Sequence, residues 1–100
     1  MKTGIELITQ ERAEQILKHG RTVDLDVKQN TKGELSFAAA LLSCPNPESM
    51  GYNSNSDLGK PEKWDKEVFK HMMSKTYKER LIIAGALIAA EIDRLQNQDK

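Results

Sequence analysis

Residues 81–90 read Leu-Ile-Ile-Ala-Gly-Ala-Leu-Ile-Ala-Ala, a run without one polar side chain. At 100° per residue such a run is apolar all the way round, and a helix of that kind must be enclosed. Crossing a bilayer takes about 20 apolar residues, so the segment predicts a buried helix and no membrane anchor. Gly85, with Ala84, Ala86, Ala89 and Ala90 around it, permits another backbone to come close. The whole chain has 100 residues, enough for one core that buries roughly two-thirds of the unfolded surface. One thin layer of helices struggles to cover every side of such a rod. The expectation is therefore a homo-oligomer that shares its last helix.

The rest of the chain also reads as helix. Thr3-Gly4-Ile5-Glu6, Thr31-Lys32-Gly33-Glu34 and Thr76-Tyr77-Lys78-Glu79 each have the Thr-x-x-Glu spacing of a capping box, and each precedes apolar periodicity. They predict helix starts for segments 4–19, 32–43 and 77–96. Gly20 is placed to stop the first, and Pro45 to end the second by disfavouring helix at Cys44. On the first, Ile5, Ile8 and Ile16 share a face. A short helix is expected after Pro61, with Trp64, Val68 and Met72 at fourfold spacing and Phe69 beside them. Residues 44–60 carry two prolines, two glycines and Asn53-Ser54-Asn55-Ser56, which reads as one long loop. Thr22-Val23-Asp24-Leu25-Asp26-Val27 alternates and is expected to be an extended linker. The fold class is mainly α: one domain over 1–100, a small bundle of three long helices, a short fourth and the 44–60 loop.

Composition excludes several functions. Fifteen Lys and Arg balance fifteen Asp and Glu, which disfavours a dedicated nucleic-acid or polybasic membrane binder. The single cysteine, Cys44, allows no intrachain disulfide, and the first residues lack a signal-peptide pattern, so a cytoplasmic protein is expected. One Cys with His19 and His71 offers no zinc spacing. No phosphate-binding glycine loop is present.

The most informative position is Arg12. It falls with His19 in the sector of Ile5, Ile8 and Ile16, with Gln15 at the margin. A cation on a buried face needs a carboxylate or an anionic ligand, because its desolvation is costly. The structural partners on offer are Glu34 and Glu91. The ligand reading is a non-enzymatic site for an anionic, nucleotide-like small molecule, using Arg12, His19, Glu34, Trp64, Lys75, Arg80 and Glu91. Its phosphate end would lie at the free N–H groups opening the last helix. Segment 60–80 holds seven Lys and Arg against four acids, among Trp64, Phe69, His71 and Tyr77. A solvated basic face explains it better than nucleic-acid stacking does.

Two alternatives stand beside that reading. Glu11-x-x-Glu14 and Glu62-x-x-Asp65 resemble the paired acidic motifs of MazG-like nucleotide pyrophosphohydrolases, whose helical carboxylates hold magnesium. That resemblance implies a magnesium-dependent hydrolase using Glu11, Glu14, Asp26 and Glu34. The other alternative is a protein-interaction module that recognises its partner with the 44–60 loop.

A wider resemblance covers nearly the whole chain. Gly4-Ile5-Glu6-Leu7-Ile8, Glu11-Arg12, Asp24-Leu25-Asp26, Gly33-Glu34-Leu35 with Ala38-Ala39, Trp64, Lys75 and 84–95 (Ala-Gly-Ala-Leu-Ile-Ala-Ala-Glu-Ile-Asp-Arg-Leu) resemble a family of small bacteriophage and prophage proteins. The chain departs from that pattern at Gly20-Arg21, where Gly-Trp is usual, and at Asp26-Val27, where Asp is paired. The resemblance implies a mobile-element origin and assigns no activity.

Overall fold

In a computed structural model, residues 1–20, 22–53, 60 and 64–98 are described. Five α-helices follow one another: α1 (Gly4–Leu17), α2 (Val23–Gln29), α3 (Glu34–Ser43), α4 (Lys66–Met73) and α5 (Tyr77–Asn97). A single 3-10 turn, Pro47–Met50, lies between α3 and α4, and no strand occurs among the described residues. The mainly α reading holds.

Two of the three Thr-x-x-Glu matches form capping boxes. Thr3 and Thr76 each accept from the backbone N–H of the Glu three residues on, and Glu6 and Glu79 reach back to the threonine N–H. Those bonds hold both carboxyls below the usual carboxylate range, with the backbone bond to Thr3 leading at Glu6 and the side-chain bond to Thr76 leading at Glu79. The third match fails. The N-cap of α3 is Gly33, at φ 79, and Glu34 turns back to accept from Lys32 N–H at 2.6 Å. The left-handed backbone at Gly33 starts the helix two residues after Thr31, so Glu34 is its first residue and not its third.

Residues 22–31 correct the sequence reading. They hold α2, not an extended linker. Thr22 caps it by accepting from Leu25 N–H, and Asp24 and Asp26 sit in its positive first turn. Alternation over six residues lost to a good cap and to a buried Asp26. Helix α1 stops at Leu17, short of His19, although Gly20 does adopt the positive φ of a stop. The short fourth helix is capped by Asp65, so Trp64 lies outside it.

Helix α5 is the axis. Helix α3 packs against it with Leu35, Ala38, Ala39, Leu41 and Leu42, which meet Ile83, Ala84, Leu87 and Ala90 in one core. The two helices are antiparallel, since Arg80 near the start of α5 reaches Leu42 and Cys44 at the end of α3. Tyr52 and Trp64 stand edge-on to Phe69, with ring centroids 5.8 and 6.0 Å away. Both tie the connection between α3 and α4 to the core. Tyr52, buried there, has its phenol pKa raised by desolvation and by nearby Glu48.

Helix α1 crosses α5 at Gly85. A Cβ at that glycine would lie 2.5 Å from Ile8 Cδ1 and 2.8 Å from its Cγ1, so the glycine creates the space that Ile8 fills. The predicted isoleucine face is otherwise only partly buried. Ile5 is 79% exposed, Ile8 and Ile16 are half-buried, and the one fully buried α1 side chain is Gln15. With a single tight contact at Ile8, α1 rotates its polar edge toward α5.

Candidate functional site

Helices α1, α4 and α5 wall a groove of about 670 Å³. Capping dictates its shape: α4 ends at Ser74, and Thr76 immediately opens α5, so the pair forms a corner that α1 closes. Apolar lining comes from Leu7, Val68, Met72, Ile82 and Ile83. Charged lining comes from Glu11, Glu14, Glu67 and Glu79 against Lys75, with His19 and His71 nearby. Four carboxylates and one ammonium make a negative field, which concentrates cations and opposes phosphate. The Thr76 hydroxyl and backbone N–H hold the Glu79 carboxyl below its ordinary pKa.

Gln15 lies in this lining at 2% exposure. Its Nε2 donates to Glu11 Oε2 at 3.4 Å, and its Oε1 has no hydrogen-bond partner. Sequence reasoning placed Gln15 only at the edge of the α1 sector. A polar residue between Glu11 and His19 on an inward face was the signal for it.

The residues expected to hold an anion are not gathered. Arg12 is drawn inward, as its sequence position demanded, but its partner is Asp93 at 3.5 Å, not Glu34 or Glu91. Arg80 is buried and donates to the Leu42 and Cys44 carbonyls at 3.3 and 2.9 Å, while its guanidinium lies 5.4 Å from the Tyr77 ring centroid. It completes the C-terminus of α3, where the last carbonyls have no partner within their own helix. Lys75 lines the groove, where its charge acts on Glu79. His19 lines both this groove and a second cleft of about 630 Å³ that includes Asp26 and Trp64. Trp64 Nε1 donates to Asn30 Oδ1 at 3.0 Å, and Asn30 Nδ2 donates to Asp26 Oδ1 at 2.8 Å.

Glu91 and Glu34 belong to another cluster, around Arg94. Arg94 Nε and Nη2 grip Glu91, and Nη1 donates to Gln98 Oε1 at 3.3 Å. The Glu91 bond raises the guanidinium pKa further, against desolvation, and the charges of Glu34 and Asp26 add to it. Asp26, Glu34 and Arg94 are all buried, so the cluster fastens α2 and α3 to the last turns of α5.

The magnesium set divides likewise. Glu11 and Glu14 face the groove, whereas Asp26 and Glu34 face Arg94. Among the described residues, no three His, Cys, Asp or Glu side chains are arranged to hold a metal ion. Glu62, half of the second acidic pair, lies outside the described residues. The 44–60 loop is anchored where it is described, with Pro47 and Tyr52 buried, and 54–59 lie outside the description. No protein-family model, curated protein or solved structure matches the chain. Among the described residues no helix is long and apolar enough to cross a membrane.

Proposed function

We propose that this is a non-enzymatic binding protein that works as a homodimer and takes its ligand in the α1–α4–α5 groove. The observation that carries the reading is a seam on α5. Leu81, Ile88, Ile92 and Leu95 are 40, 49, 51 and 48% exposed. They recur at spacings of seven, four and three, which puts them along one side of the helix.

The seam suits a second copy of itself. In an antiparallel pair centred on Ile88, Leu81 faces Leu95 of the other copy. Antiparallel dipoles attract. The groove takes Glu79, Ile82 and Ile83 from the other side of α5, so pairing leaves it open. The resemblance of 84–95 to small phage and prophage proteins supports a mobile-element accessory protein acting in the host cytoplasm.

Light scattering across a micromolar dilution series tests the pairing. The expected result is a dimer that Ile88→Glu converts to a monomer with unchanged helicity. A wild-type chain that stays monomeric throughout overturns it.

A further inference from the structure

We infer that α2 is a lid on a polar latch: with its cap Asn30 it leaves α5 as one unit while the α3–α5 core stays folded, and so opens the second cleft. Three independent features point to this.

First, the joints. Residues 22–31 lie between Gly20 at φ 66 and Gly33 at φ 79. Glycine moves between the left-handed and the ordinary backbone regions with no Cβ to obstruct it. Turning at those two positions lets the segment leave and return without displacing α1 or α3, as hinge residues do.

Second, the fastening. Helix α2 packs chiefly on α5. It gives no residue to the buried apolar cluster, and its one buried side chain is Asp26. Polar contacts hold it instead. Trp64 Nε1 donates to Asn30 Oδ1, Asn30 Nδ2 donates to Asp26 Oδ1, and the Asp26 charge acts on Arg94. On opening, water replaces such bonds and rehydrates the two charges, so the net cost is small. Exposing the apolar core brings no such return, so α2 parts first.

Third, the position. Leu25, Asp26 and Gln29 of α2 form a wall of the cleft of about 630 Å³, which Leu35, Trp64 and Val68 also line. The Trp64–Asn30 bond ties that wall to the α4 side. Moving α2 takes the wall away and uncovers Leu35.

The test is native-state hydrogen exchange on the full chain, followed by NMR in urea below the unfolding transition. A helix of seven residues does not persist alone in water, so undocking shows as exchange of all its amides together. Amides 26–30 should share one protection factor, at least about tenfold below those of Leu42 and Leu87. That factor should barely change with urea, whereas the core values fall steeply.

Two variants separate latch from core. Asn30→Ala should lower protection at all five positions about tenfold. Trp64→Phe, which keeps a ring and deletes the donor, should lower it about fivefold and replaces Asn30→Ala if that variant does not fold. Leu42→Ala should lower core protection at least about thirtyfold and leave α2 unchanged. If Leu42→Ala fails to fold, the urea dependence of the wild type carries the same distinction. Protection in α2 equal to that of the core, or falling with it in Leu42→Ala, overturns the lid. So does protection graded inward from the helix ends, with Asn30→Ala loosening the last turn alone.

Discussion

Helices α3 and α1 lie on the same partner, α5, and make opposite kinds of interface. The α3 side is dry: Leu35, Leu41 and Leu42 are essentially inaccessible against Leu87 and Ala90. The α1 side is polar. It rests on Ile8 over Gly85, the Arg12–Asp93 pair and a buried glutamine. The close-packed apolar core lies on one side of the axis, and the buried glutamine, the acidic wall and the 670 Å³ groove lie on the other. Ligand sites need open space and unmet hydrogen bonds, which a well-packed core removes.

Truncation should expose the contrast most strongly. Leu42→Ala, at a position with no exposed surface, should lose about 2–5 kcal/mol in urea unfolding. Ile5→Ala on α1, in solvent, should change stability by less than about 0.5 kcal/mol. Equal losses at the two sites would erase the distinction.

A buried charge serves the dry side. Arg80→Met removes the donors that the Leu42 and Cys44 carbonyls accept from. The expected loss is about 2 kcal/mol, with faster amide exchange confined to the end of α3. Unchanged exchange there would separate Arg80 from the cap.

Gly85→Ala probes the polar side. The new methyl meets Ile8 and should cost about 1–3 kcal/mol. Adding Ile8→Ala to Gly85→Ala should recover part of the loss, because the clash and its relief involve the same two side chains. A double variant no better than the single one would place the strain elsewhere.

The smallest effect is acid fraying. Glu6 and Glu79 have folded pKa values below their unfolded ones, so their capping support is fully present above the usual carboxylate range. It is lost as pH falls through the lowered folded values. Amide exchange in the first turns of α1 and α5 should quicken there.

The locally coded elements were legible. The boxes at Thr3 and Thr76 each satisfy free N–H groups within four residues, so they form wherever the chain sits. The apolar run in α5 and the stop at Pro45 are equally local. The box at Thr31 failed because Gly33, in a left-handed turn, is the N-cap of α3, which makes Glu34 its first residue and not its third. Helix α2 was missed because Val23, Leu25 and Val27 mimic strand alternation, while its decisive feature, an Asp26 buried beside Arg94, depends on a residue far along the chain.

The site divides the same way. That Arg12 must turn inward and find an acid follows from one helix face and the cost of desolvating a charge. Which acid it finds does not follow: the sequence pointed to Glu34 and Glu91, and the partner is Asp93. The crossing that seats Ile8 over Gly85 also holds the Arg12–Asp93 pair, and the groove beside Gln15 lies between the same two helices and α4. Composition and periodicity determined a helical chain with an over-apolar last helix. Only the tertiary arrangement decided which cations are consumed by structure and which carboxylates remain facing open space, because electrostatic partners are set by distances between segments far apart along the chain.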